Sequence, residues 1–391
     1  MLKVAFVVQR YGTEINGGAE LHCRHVAEHM SKYWDIEVLT TCAKDYYSWK
    51  NEFKEGIETV NNISVRKFSV DKQRRMFFFK LYSILAFREK SSFQQQERWM
   101  KLQGPFSSSL FQFIEDHKNN YQYFFFFTYL YCTTYFGLKY VRDKAILIPT
   151  AHDERPIYLN IFKKMFLIPQ GFIFNTIEEK SFVDKLFSTE NKASDVVGVG
   201  VKLPGKVENI FRKKFNVSEK YVLYIGRIDV MKGCKEMFEY FIRFIKDFKV
   251  NVKLILSGHK TTQIPFHPDI IYLGSLSEAD KFEALHSAEF TIMPSKYESL
   301  SIFCLESWLL KKAVLVNQKS KVLKGQCSRS GGGILYNDYQ TFSKNINLLL
   351  SDKTLNNKLG ENGYNYVTAN YRWDIIEKKY LAFIDRLQTD F

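Results

Sequence analysis

Glu298 and Glu306 stand eight positions apart in Pro294-Ser295-Lys296-Tyr297-Glu298-Ser299-Leu300-Ser301-Ile302-Phe303-Cys304-Leu305-Glu306. A strand-like run, Phe290 to Met293, is closed by Pro294, and Ile302, Leu305 and Leu309 then recur at helical spacing. Glu298 therefore falls at a strand's carboxyl end and Glu306 in the helix that follows. Between them, the amides of Leu300, Ser301 and Ile302 are expected at a helix N-terminus, where unsatisfied N–H groups and the helix dipole attract phosphate. A phosphate site flanked by carboxylates that hold hydroxyls suits a nucleotide sugar. Helical glutamates are more often plain surface residues, so other groups must support the reading.

A second constellation precedes it. Tyr221 to Ile225 is an apolar strand, and Gly226-Arg227 and Lys232-Gly233 follow in one turn. Arginine offers a planar fork and lysine a compact point charge, two complementary ways of holding a diphosphate. Near the amino end, the strand Val4–Val8 leads to Gly17-Gly18-Ala19-Glu20 and a helix with Cys23, Val26, Ala27 and Met30 on one face. This is neither a dinucleotide fingerprint nor a Walker loop, and close packing alone is a competing reason for the glycines. His152 stands beside Asp153 after the buried run Ala145–Ile148, at a strand's carboxyl end, where open α/β sheets bind ligands.

Taken in order, these segments resemble the retaining glycosyltransferases of family 4, of GT-B fold and E-x7-E type. The resemblance implies that Arg227 and Lys232 bind the donor diphosphate, with Gly17, Gly18 and the 300–302 amides also on the donor. It implies ribose hydroxyls on Glu306, and His152 and Glu298 at the transferred sugar, with Glu298 positioning it or supporting its loop and not acting as nucleophile. No Asp-x-Asp triplet occurs, so a metal-independent enzyme without cofactor is expected, its donor a nucleotide diphosphate sugar and its acceptor a glycan or lipid-linked glycan in surface polysaccharide or lipopolysaccharide synthesis. The same fold serves nucleotide-sugar epimerases, glycan phosphorylases and non-catalytic nucleotide-binding proteins, which remain alternatives.

The elements that position these groups alternate strand and helix twice over, on either side of a turn-rich stretch from Gly198 to Gly205. With 391 residues, two cores are expected. The resemblance turns this α/β pattern into two Rossmann-like domains facing across a cleft, 1–204 on the acceptor side and 205–373 on the donor side. A helix at 374–391 returns to the first domain. The six cysteines lack paired spacing, which argues against a zinc site or disulfide framework.

The net charge of +14 is concentrated between Arg66 and Arg98, where nine bases meet three acids around the aromatic run Met76–Phe87. Such a segment suits an anionic membrane surface and equally a core helix with solvated ends. Nucleic acid is not expected as a partner, because no reading motif accompanies the charge. With neither an apolar leader nor an apolar run of about 20 residues, the expected location is the cytoplasm, peripheral to the inner membrane face at most.

Overall fold

The computed structural model describes residues 1–15 and 17–389. The chain up to Gly200, together with its end from Ile376, forms one compact unit, and Val201–Ile375 forms the second. The divisions thus fall a few residues from the expected 204/205 and 373/374.

In the first unit, eight strands are named in chain order: β1 Leu2–Val7, β2 Trp34–Thr41, β3 Gly56–Val60, β4 Ile63–Phe68, β5 Tyr123–Phe127, β6 Ala145–Ile148, β7 Gly171–Phe174 and β8 Ala193–Val196. They form one sheet in the order β3-β4-β2-β1-β5-β6-β7-β8, parallel apart from the β3–β4 hairpin. Continuous apolar runs explain the parallel centre, because strands covered by helices on both faces need no polar alternation. Phe124 to Phe127 and Val4 to Val7 are all fully buried. At the exposed edge, Asn61 and Asn62 take φ of 48° and 65°, the left-handed conformations of a two-residue hairpin turn.

The helix Trp373–Thr389 closes this unit. Its buried Tyr380 meets the Trp34 ring edge-on at 6.4 Å. Glu377, also buried, accepts from Lys32 at 2.7 Å and Tyr33 at 3.2 Å, and its Oε1 lies 3.1 Å from His29 Nδ1. Three partners from one helix end leave that carboxylate well compensated despite its burial.

The second unit contains β9 Lys220–Ile225, β10 Val252–Ser257, β11 Ile270–Tyr272, β12 Phe290–Met293, β13 Val314–Asn317 and β14 Gly333–Tyr336. All are parallel, in the order β11-β10-β9-β12-β13-β14. The order reverses between β9 and β12, which pair Val222 with Phe290 and Leu223 with Thr291. In an open parallel sheet, the connections leaving two such strands diverge to opposite faces and open a crevice at their carboxyl ends. The loops after β9 and β12 are the two that carry the sequence motifs. The six cysteines are buried free thiols, and no described helix is long and apolar enough to cross a membrane.

Candidate active site

After β9 the chain turns through Gly226–Gly233 into the helix Cys234–Phe248. Asp229, buried beneath this turn, holds it together: Oδ1 accepts the Lys232 amide at 2.7 Å, and Oδ2 pairs with the Arg227 guanidinium. The Tyr224 hydroxyl donates to the Arg227 carbonyl at 2.8 Å. With the backbone fixed, both cations still reach solvent, their side chains 41% and 30% exposed. Gly233 has φ of 77°, and a Cβ there would lie 2.3 Å from the Pro294 carbonyl oxygen. Glycine is thus required where the β9 loop meets the first residue of the β12 loop.

That second loop is equally constrained. The fully buried Ser295 hydroxyl donates to the Tyr297 carbonyl at 3.0 Å and accepts its amide at 3.3 Å, a tight local turn. Asn317, at the end of β13, donates to Pro294 O at 3.2 Å, and Lys296 pairs with Glu236 at 3.1 Å. The result delivers Glu298, whose Oε1 lies 2.6 Å from Lys232 Nζ across a sequence separation of 66. The two motifs thus meet directly. Ser301 then caps the helix Ile302–Leu309, its hydroxyl accepting the Cys304 amide at 3.3 Å. Ile302 is the first helical residue, Ser301 supplies the cap and Leu300 precedes it, so of the three amides expected at the helix start only that of Ile302 belongs to the first turn.

Glu306 lies buried in the same helix, where its Oε1 pairs with Lys281 of the helix Glu278–Ser287. Burial raises its pKa above the usual glutamate value, with Lys281 pulling the other way. On the ribose role that the resemblance gives Glu306, the ionised form, with every lone pair free to accept, holds the hydroxyls better than the protonated one, so donor affinity should weaken as pH falls. Because the folded pKa is raised, the loss begins at a higher pH than the ordinary 4.5 would give. Titrating nucleotide-sugar Kd against pH should show this acid limb in the native protein and flatten it in Glu306→Gln.

In the first unit the predicted groups lie on chain that follows the carboxyl ends of β1 and β6. Gly17 caps the helix Gly18–Met30, and a Cβ there would lie 2.2 Å from Glu20 Oε2. Glu20 is itself buried and held by Arg10, whose Nε donates at 2.9 Å. Gly18 is different: among the described residues, a Cβ on it would meet nothing within 4 Å. A Cβ at Gly17 would thus press on the carboxylate that Arg10 holds, while the described residues leave the space at Gly18 open. His152 follows β6 with its Nδ1 3.5 Å from Glu154 Oε1, the oxygen that also accepts the Tyr129 hydroxyl at 2.7 Å.

Behind His152 is a residue the motifs did not point to. Glu179 is buried and accepts the amides of Ala151 at 2.5 Å and Asn175 at 2.7 Å, which fixes the loop carrying His152. Desolvation lifts its pKa to about 8 against these donors. A Thr176-x-x-Glu179 capping pattern was its sequence signal. Asp229, Arg10 and Lys281 were likewise not foreseen, because each acts through a partner rather than through its own motif.

The two α/β units with a closing helix returned to the first define the GT-B class of fold. Residues 206–366 match the model of the family "Glycosyl transferases group 1". A relative in Staphylococcus aureus, the capsular polysaccharide biosynthesis glycosyltransferase CapM, is 22% identical over 46% of this chain and 50% of its own length. The chain spans about half the length of the curated relatives it matches. Among solved structures, sucrose-phosphate synthase from Thermosynechococcus elongatus superposes with a TM-score of 0.73 at 15% identity, with full coverage of both chains. HepE of Anabaena, in complex with UDP and glucose, gives 0.70 at 13%, covering 99% of this chain and 100% of its own. At such identities these structures establish the fold alone.

Proposed function

We propose that this protein is a retaining, metal-independent glycosyltransferase of family 4 type. It moves a sugar from a nucleotide diphosphate sugar to a hydroxyl of a glycan or lipid-linked glycan. The observation that carries the reading is the direct Lys232–Glu298 contact at the β9/β12 switch point, which unites the basic turn with the first glutamate of the E-x7-E segment. When the anomeric C–O bond breaks, negative charge grows on the departing diphosphate. Arg227, Lys232 and the first amides of the Ile302–Leu309 helix supply fixed positive charge for it. With two side-chain cations in place, a divalent metal is not needed for that neutralisation. The acceptor hydroxyl forms the new C–O bond on the same face and gives its proton to the leaving group.

Glu306 is assigned to the ribose hydroxyls, Glu298 to orienting Lys232 and the sugar, and His152 to a polar contact with the transferred sugar. Gly18 is assigned to close approach of backbone to the donor. The family match over 206–366 and the capsular polysaccharide relative support transfer in surface polysaccharide synthesis. The UDP bound to HepE makes uridine nucleotides the first donors to try.

The test is a panel of α-linked UDP-, GDP-, ADP- and dTDP-sugars with glycan acceptors, the new linkage read by proton NMR in the presence of EDTA. An α-linkage is expected. A β-linkage contradicts retention, dependence on added metal contradicts metal independence, and absence of transfer from every donor contradicts the transferase reading.

A further inference from the structure

The helix Met76–Ala86 presents two unlike faces. Inward, Phe79, Tyr82 and Phe87 pack on the first unit's core, and the Trp99 indole donates to the Ser83 hydroxyl at 3.0 Å. Outward, Phe77, Phe78, Leu81 and Ile84 are 74%, 54%, 53% and 63% exposed. At helical spacing, Phe77, Leu81 and Ile84 form one continuous strip with Phe78 at its margin. Soluble proteins seldom leave so concentrated an apolar face without a partner.

The charges nearby indicate which partner. Of the bases in the wider segment, Arg66 is engaged with Glu37 at 2.8 Å, Lys67 is buried on Glu58 at 2.6 Å, and Arg74 is buried against backbone carbonyls of Tyr46 and Tyr47. Those three belong to the fold. Lys72, Arg75, Lys80, Arg88 and Lys90 are exposed in the helix and the chain on either side of it, against Asp71 and Glu89, while Arg98 lies over the Tyr82 ring at 4.9 Å. A strip of aromatic and branched aliphatic side chains with exposed cations in its helix and on both flanks in sequence matches a bilayer interface, with rings at the acyl boundary and Lys or Arg among anionic headgroups.

We propose that this helix docks the protein on an anionic lipid surface. The occupant is the bilayer, because a protein partner or a second copy would have to supply acids to match five exposed bases. The docking is independent of glycosyl transfer: a Lys232→Ala variant should bind vesicles as the native protein does.

The experiment is vesicle flotation of the full chain with phosphatidylcholine alone and with added phosphatidylglycerol, at low and high salt. Binding is expected only with anionic lipid and should fade with salt. The triple variant Arg75→Ala, Lys80→Ala, Arg88→Ala should weaken it about 100-fold, since each base near the surface contributes roughly fivefold. The variant Phe77→Ser, Leu81→Ser, Ile84→Ser should abolish it with circular dichroism unchanged, as these side chains are outside the core. Equal binding by this apolar variant, or by neutral vesicles, overturns the proposal. So does a self-association, measured by sedimentation, that the apolar variant abolishes while vesicle binding persists, because the face is then an interface between copies.

Discussion

Lys232→Ala is expected to lower kcat/KM for donor turnover by about 100- to 1,000-fold, the loss typical of removing one preorganised group from a developing anion. The substitution does two things. It takes a cation from the proposed diphosphate site, and it leaves Glu298, whose side chain is only 10% exposed, without the Nζ at 2.6 Å. Both effects work against an incoming anion. The pair is part-buried, its side chains 30% and 10% exposed, so the stability loss should exceed the about 1 kcal/mol of a surface pair, and circular dichroism of the variant should accompany the kinetics. Lys232→Arg restores charge with a different shape and should recover part of the activity. Steady-state kinetics on the three proteins decides the matter: an alanine variant within about threefold of the native rate would remove Lys232 from the mechanism.

The largest expected effect on stability is that of Gly233→Ala. Its φ of 77° is costly for any residue with a Cβ, by about 1–2 kcal/mol, and the added carbon would be 2.3 Å from the Pro294 carbonyl. Backbone faces backbone there, so no side-chain rotation relieves the contact, and we expect a total cost of about 2–4 kcal/mol in urea unfolding. Because Pro294 opens the loop bearing Glu298, donor affinity should fall as well. Gly18→Ala provides the contrast. Among the described residues the Cβ would have nothing within 4 Å at the first position of a helix, so stability should be unchanged or slightly raised. A loss of donor affinity in that variant would therefore report close ligand approach, and full retention would make Gly18 incidental.

The loops after β9 and β12 were legible because their signals are local. Strand, glycine and cations are contiguous around Arg227 and Lys232, and the Ile302–Leu309 helix follows its loop without interruption. The pair order of β9 and β12 was not legible, yet it is what brings Lys232 to Glu298. Asp229 and Lys281 were passed over for the same reason: charged residues in loops and helices read as solvated until the fold supplies their partners. Short strands were also missed. β8 is only four residues, one of them Asp195, and β14 begins in a glycine run, so neither has a pattern strong enough to stand alone. The β3–β4 hairpin did carry a signal, Asn61-Asn62 between Val60 and Ile63. Composition located the basic segment but not its exposed part, since counting charges treats the buried Lys67 and Arg74 like the exposed Arg75 and Lys80.

The central claim is that the second unit binds a nucleotide diphosphate sugar through Lys232 and Glu306. Thermal unfolding with a saturating panel of UDP-, GDP-, ADP- and dTDP-sugars tests it most directly, because a ligand held only by the folded state raises Tm by mass action. At about 100 times Kd the stabilisation is about 2.7 kcal/mol, enough for a shift of several degrees in a domain of this size. At least one nucleotide sugar should raise the Tm of the native protein, and the same ligand should leave the Lys232→Ala, Glu306→Ala double variant unmoved. No shift with any member of the panel, or an equal shift in the double variant, would contradict the account.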